Sequence, residues 1–449
     1  MSTIEKHDMT QGKILLPLVS FTIPLVLGNL FQLTYNAADS VIVGKYVGEQ
    51  ALAAVGTSTP IMNIAILLIS GMCMGASVLM SSQYGAKDYD TLSRQISTTM
   101  LAGCGFSVVF SLLMLLLANP VLRLIRVPET AIPEAAAYLR IIFMGLIFTF
   151  MYNFLANTMR ALGDSKTPLY FLVTSAFLNI FGDLFFVVVL RWGVAGSAIA
   201  TVCSEGICCL LCGIYIKKKI PLLCLGKKWW VFDKSLLGKT VSYGSTSAMQ
   251  QVCLQLGKLI IQSVVNTQGV AVMAAFTAVN RVDDFAYTPQ QNIGHAMTTF
   301  LAQNKGAGHK ERMKKGFQTG LLIELVYSIG LFCVIWGLAP QIMTLFAEDG
   351  DAQVVSLGIS YLQLISWMYI LPGLTNGVQG FFRGIGDLKV TLYSTFMNMF
   401  GRVVAVFVMI RLLQMEFASL AWANMVGWIV MLLFEVPLLV KSMRNGECG

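Results

Sequence analysis

Charge is scarce in this chain. Asp, Glu, Lys and Arg make up 12% of its 449 residues, against about 25% in soluble proteins. Hydrophobic residues reach 56% and the mean hydropathy is +0.71. Too little polar side chain is left to clothe a water-soluble surface, so the bilayer has to serve as solvent.

Histidine is scarcer still: His7, His295 and His309 are the whole supply, and two lie outside the apolar stretches. A His-rich metal site is excluded. No Gly-rich phosphate cradle occurs, which argues against nucleotide use, and no nucleophile–base pair or metal cluster supports a membrane enzyme. Ten cysteines are present, mostly inside apolar stretches, as at Cys203, Cys208, Cys209 and Cys212. Cys209 and Cys212 have the spacing of a redox or metal motif, but without a second pair or a nearby His they read as packing residues. No cofactor is expected.

Apolar runs are what the chain has in abundance. A helical span needs about 20 mostly apolar residues. Twelve such stretches occur, at 14–38, 52–80, 97–118, 134–158, 168–190, 193–216, 241–266, 271–300, 317–338, 356–381, 390–410 and 417–440. They are expected to be helices, because hydrocarbon offers no partner to an unpaired backbone group. The expectation is an all-α integral membrane protein of twelve spans. The first stretch is too long for a cleaved signal and lacks a small-residue cleavage site, so it reads as a retained span.

The net charge of +8 is unevenly placed. Twenty-two Lys and Arg fall on the side that holds both termini, seven of them within 217–239, and five on the other: Lys45, Arg123, Arg126, Arg191 and Arg411. The positive-inside rule puts both termini in the cytoplasm of a plasma membrane protein. The basic surplus then faces anionic lipid, and nucleic acid is not an expected partner.

The second half of the chain echoes the first. Arg160-Ala-Leu-Gly-Asp164-Ser-Lys166 returns as Arg383-Gly-Ile-Gly-Asp387-Leu-Lys389, 223 residues later. Asn153 returns as Asn376, and Ala195, Ala198 and Ala200 as Ala418, Ala421 and Ala423. Gly48 with Ala53-Ala54 returns as Gly269 with Ala274-Ala275, at an offset of 221. Six spans per half make both halves enter from the same side, as parallel repeats related by a pseudo-twofold along the membrane normal. The reading is an N-lobe at 1–220, a cytoplasmic linker at 221–240 and a C-lobe at 241–449. The linker holds Pro221 and the basic stretch Lys227-Lys-Trp-Trp230. Two similar lobes around a central cleft suit alternating access, and nothing resembles a selectivity filter.

Polar groups inside the spans are few. A carboxylate in hydrocarbon needs a partner, a proton or a cavity. Asp39 ends the segment Gln32-Leu-Thr-Tyr35-Asn-Ala-Ala-Asp39, and Asp183 closes Asn179-Ile-Phe-Gly-Asp183. Tyr35 with Asp39, Asn179 with Asp183, and Asn153 with Asn157 are each spaced to share a helix face. Thr201 lies in the next span, within Ser197-Ala-Ile-Ala-Thr201. The asparagines have a plainer reading as ties between helices. That reading is weaker for the aspartates, whose counterparts in the other half are Ile260 and Val406. In the second half, Arg281 and Asp284 are spaced for a local ion pair; Asp283 and Arg402 are further charges within the apolar runs, and Glu205, Glu324 and Glu435 carry no assignment.

Tyr35-Asn-Ala-Ala-Asp39-Ser-Val-Ile-Val-Gly44 followed by Ala51-Leu-Ala-Ala-Val-Gly56 resembles the first-helix signature of the multidrug and toxic compound extrusion (MATE) transporters. Ser82-Gln83-Tyr-Gly85-Ala86-Lys87 and Arg160-Ala-Leu-Gly-Asp-Ser-Lys-Thr-Pro168 are similar to later segments of that family, and the resemblance runs essentially the full length. A first-helix Asp with a fifth-helix Asn-x-x-x-Asp looks like its prokaryotic DinF-like branch. The resemblance implies a cation or proton site with carboxylates Asp39 and Asp183 and neutral ligands Asn179 and Thr201. It also implies drug contacts at Gln32, Tyr35, Asn153 and Asn157, and a bend-prone Pro24 in the first span. Another branch carries a carboxylate in helix 7, where this chain has neutral Ala248-Met-Gln250-Gln251.

The expected function is export of amphipathic, often cationic compounds by a monomeric secondary antiporter, with H+ or Na+ as coupling ion and no enzymatic activity. The 24 Met and 27 Phe suit adaptable apolar binding. The alternatives are a flippase for lipid-linked precursors, which calls for a cationic cavity, and a structural or receptor protein, which has no use for carboxylates confined to one half.

Overall fold

The computed structural model describes residues 8–125, 127–220, 230–346, 352–413, 415, 417 and 419–444. Among them the regular structure is helical throughout: α1 Leu15–Tyr46, α2 Glu49–Gly85, α3 Tyr89–Leu124, α4 Ile132–Met144, α5 Leu146–Ala161, α6 Lys166–Asp183 and α7 Gly193–Lys219, then α8 Lys234–Val265, α9 Val270–Gly306, α10 Lys310–Phe346, α11 Ala352–Ser366, α12 Ile370–Gly384, α13 Leu388–Phe407 and α14 Ser419–Arg444. His7, Arg126, Ala418 and the 221–229 part of the expected linker lie outside the described residues.

Nine helices among the described residues are long and apolar enough to cross a membrane, and ten if the bent pair α4–α5 is one span. The sequence count of twelve also includes α8 and α9. These have the length, 32 and 37 residues, but Gln250, Gln251 and Lys258 in α8, and Arg281, Asp283, Asp284 and Gln290 in α9, dilute their apolar runs. Side chains such as Leu112, Leu116, Phe177, Phe181 and Leu433 stand exposed, which only a hydrocarbon surrounding tolerates on this scale.

By compactness the chain divides into Ile23–Ala248 as one unit, and Met9–Thr22 with Met249–Gly449 as the other. The first unit packs around Phe143, Phe150, Phe154, Ile69 and Met80, the second around Tyr361, Tyr369, Ile365, Leu362 and Met343. Residues 234–240, read as linker, are the opening turns of α8. Asp233 explains this: its Oδ1 accepts from the Ser235 and Leu236 backbone N–H groups at 2.8 and 3.2 Å, capping the helix. Its Oδ2 accepts from Arg94 at 2.5 Å, tying that cap to α3.

The repeat in the sequence is a repeat in backbone geometry. Gly48 and Gly269, at the starts of α2 and α9, have φ of 115° and 104°, angles at which a Cβ would clash. Gly163 and Gly386 follow suit at 89° and 86°, and Lys87 pairs with Gly308 at 56° and 73°. α6 and α13 both run into π turns, Leu184–Val189 and Val408–Leu412. Both halves also break a helix at corresponding places. α4 meets α5 at Gly145 with a 47° bend, and α11 meets α12 through a 3-10 turn, Trp367–Tyr369.

Candidate cation site and substrate-facing residues

Three helices of the first unit, α1, α6 and α7, supply the site. α6 and α7 approach closely because small residues line their contact: a Cβ on Gly182 would sit 2.9 Å from Ala200 Cβ, and one on Gly196 would sit 3.1 Å from the Phe186 backbone. That approach brings the polar face of α6 against α7. Asn179 Nδ2 donates to Thr201 Oγ1 at 3.1 Å, and Thr201 Oγ1 donates to the Ser197 carbonyl at 3.2 Å. From α1, Asp39 reaches the same place and accepts from Ser197 Oγ at 2.7 Å. The structure thus brings together all four residues expected there.

Asp183 is the decisive member. It closes α6 just before the π turn, a distortion frequent at functional sites, and is 0% exposed. Its carboxyl lies within hydrogen-bonding reach of Asp39 and Ser197, but the Ser197 proton goes to Asp39. Neither Asp183 oxygen has a donor, and Asn179 Oδ1 also lacks one. Two carboxylates therefore meet, with an unpartnered amide oxygen one turn earlier on α6, and no Lys, Arg or His among the described residues forms an ion pair with either acid. A shared proton fits that arrangement, and so does one Na+ held by carboxylate, amide and hydroxyl oxygens, which suit a hard cation. No group of three or more His, Cys, Asp or Glu for a transition metal is present among the described residues.

Ser197 and Tyr138 were not singled out from sequence. Ser197 is one turn before Thr201 on the same face, a spacing that pointed to it. Tyr138, 3% exposed on α4, lies close enough to both aspartates for their charges to interact; nothing in its local sequence marks it.

The expected substrate contacts are more scattered. Tyr35 and Gln32 lie one turn apart on α1, and the surroundings of Tyr35 include Glu205 and Asp39. On α5, Asn153 and Asn157 turn back on their own helix, donating to the Thr149 and Asn153 carbonyls, both at 2.9 Å. They are not the ties between helices that the plainer reading expected. Such a side chain keeps its carbonyl oxygen for another partner. Glu205, unassigned from sequence, accepts from Thr149 Oγ1 at 2.5 Å. Pro24 lies within α1, which runs through it from Leu15 to Tyr46.

The second unit handles its charges differently. Asp283 accepts from Tyr369 and Tyr361 hydroxyls at 2.5 and 3.2 Å, with Asn424 donating to Tyr361 at 2.8 Å. The expected Arg281–Asp284 pair gives way to Lys258–Asp284 at 3.3 Å, because α8 brings the lysine closer than the next turn of α9 brings the arginine. Gln250 bridges Gln379 and Thr395 at 3.2 and 3.0 Å, so the neutral helix-7 position is a hydrogen-bonding hub. Cys208 and Cys212 are buried in the first unit, and Cys203 is exposed.

The sequence model of the family described as MatE matches residues 24–185 and again 247–409. The chain belongs to the MatE family. Its members are membrane transporters, and the double match falls on the two halves that repeat. This MatE chain is 32% identical to the probable multidrug resistance protein YpnP of Bacillus subtilis (strain 168), over 87% of the chain and 86% of YpnP. It is 29% identical to the probable multidrug resistance protein YoeA of the same organism, over 85% and 82%. In fold, it matches a multidrug resistance MATE family transporter of the MOP superfamily solved in an outward-facing conformation. The TM-score is 0.91 at 22% identity, covering 100% of this chain and 99% of the other.

Proposed function

We infer that this chain is a multidrug exporter of the plasma membrane, working as a secondary antiporter that exchanges amphipathic, often cationic compounds for H+ or Na+ by alternating access. Twelve spans in two six-helix lobes, a monomer, and both termini in the cytoplasm complete the reading. The observation that carries it is the pair Asp39–Asp183, an acid fully buried without a donor beside a second acid. Such a pair is unstable unless a cation or proton joins it, and is therefore sensitive to the gradient of that ion. The names of YpnP and YoeA supply the class of cargo.

Coupling follows from what α1 carries. Asp39, Tyr35 and Gln32 share that helix, so a change in what Asp39 can bond is transmitted to the residues offered to substrate. Pro24 removes one backbone hydrogen bond and gives α1 a point of weakness on the N-terminal side of all three. Asn153 and Asn157 on α5 would complete the substrate contacts. The test is efflux from proteoliposomes under separately imposed proton and sodium gradients. Export driven by one of them, abolished by Asp39→Asn in a protein that still inserts, is the expected result. Efflux indifferent to both gradients rules out the antiport reading.

A further inference from the structure

The second unit contains three buried acids among its described residues: Asp283, Glu324 and Glu435. Asp283 is supplied by two tyrosine hydroxyls. Glu435, whose oxygens also lack a donor, has the positive charge of Arg383 nearby. Glu324, on α10, has neither tyrosine donors nor such a cation. It is 1% exposed, both its carboxylate oxygens lack a donor, and no Lys, Arg or His among the described residues forms an ion pair with it.

Its neighbours are arranged as acceptors. Gln290 on α9, 0% exposed, donates its two amide hydrogens to Ser328 Oγ at 3.0 Å and the Tyr369 carbonyl at 2.8 Å. The carbonyl accepts only, which fixes the amide orientation and leaves Gln290 Oε1 without a donor. Ser328 spends its own proton on the Glu324 backbone carbonyl at 2.7 Å. These groups meet over Gly373 of α12: a Cβ there would lie 2.9 Å from Ser328 Oγ, 3.2 Å from Gln290 Nε2 and 3.4 Å from Glu324 Oε2. Glycine keeps that cradle open.

We propose that Glu324, Gln290 and Ser328, gathered over Gly373, form a second monovalent-cation site, separate from the Asp39–Asp183 pair. The ligand supplies one positive charge, as Na+ or as a proton. Na+ is held by the Glu324 carboxylate, Gln290 Oε1, Ser328 Oγ and the Tyr369 carbonyl, all hard oxygens. A proton sits on Glu324 and is donated to Gln290 Oε1. Either removes the cost of a buried, unpaired carboxylate. Other ionisable groups on the surrounding helices are engaged elsewhere. Asp283 is held by Tyr361 and Tyr369, His295 faces Arg383, and Tyr287 packs edge-on against Tyr369. Tyr327 of α10 faces Glu324 but donates its hydroxyl to the Ala286 carbonyl at 3.1 Å.

The test uses the full chain in lipid nanodiscs, with Asp39→Asn and Asp183→Asn silencing the first site. Infrared difference spectra are recorded while NaCl replaces choline chloride at fixed pH, and while pH is varied in choline chloride. A carboxyl component responding to one titration and lost on adding Glu324→Gln is expected. The sodium titration identifies Na+ as the ligand and the pH titration the proton. If every responsive component survives Glu324→Gln, the proposal falls. Should Glu324→Gln fail to yield monodisperse protein, Gly373→Ala keeps the acid but crowds the cradle. It should move the midpoint about tenfold, the scale of an overpacking strain, and an unmoved midpoint overturns the proposal equally.

Discussion

Asp183 has two oxygens and no donor for either, while Asp39 beside it has Ser197. Replacing either acid by Asn supplies amide hydrogens where a cation is needed. In Asp39→Asn and in Asp183→Asn, the ion's effect on drug affinity, about 5–150-fold in coupled systems, is expected to vanish while folding persists. The double mutant should lose little more than either single one, because members of one unit are non-additive. Binding isotherms with and without the ion decide the matter, and multiplying losses would assign the two acids separate roles. Ser197→Ala removes one hydrogen bond to a charged group, about 1.5–3 kcal/mol. It should shift the half-saturating ion concentration about tenfold or more without abolishing transport, downward if the ion is a proton, because the charged carboxylate loses a donor; an unchanged ion dependence would remove Ser197 from the site. Much of this constellation was legible in the sequence, since Asn179, Asp183 and Thr201 lie on faces set by the helical period. Ser197's bond to Asp39 was not: it joins residues 158 positions apart, and no local pattern records such a meeting.

At the scale of elements, α1 and the α6–α7 pair do different work. α6 and α7 are held close by Gly182, Gly196 and Ala200, so they form a fixed wall. α1 runs on through Pro24 but lacks one backbone hydrogen bond there, where a ring replaces the N–H. If the ion acts by biasing α1 between straight and bent forms, restoring the bond stiffens the element that transmits. Pro24→Ala is then expected to reduce the ion-induced shift in drug affinity more than it reduces drug affinity itself. The measurement is drug binding with and without the coupling ion in both proteins. An equal shift in mutant and wild type excludes α1 bending as the transmission step. The proline was visible in the sequence; that α1 stays one helix through it was a matter for the structure.

For the whole molecule, the excess of Lys and Arg on one side fixes the expected orientation. In a cysteine-free background, His309→Cys, between α9 and α10, should react with an impermeant thiol reagent only from the cytoplasmic side. Glu129→Cys, between α3 and α4, should react only from the opposite side. Labelling of both from one side would overturn the arrangement of spans. The internal repeat belongs to this scale too. The sequence offered matching letters at offsets of 221 and 223, and the structure matched them with paired left-handed residues and paired helix breaks.

The sequence by itself determined that the chain is helical and built for a bilayer, because composition and run length decide the solvent. It also determined that the chain repeats, and which helix faces carry its acids. Only the tertiary structure decided the state of each acid. Asp283 and Glu324 look alike as carboxylates in apolar runs. One is satisfied by Tyr361 and Tyr369, 78 and 86 residues away, and the other receives no hydrogen bond on either oxygen. Whether a buried charge is neutralised depends on which donors distant segments bring to it. That is fixed by packing in three dimensions and by nothing local to the residue.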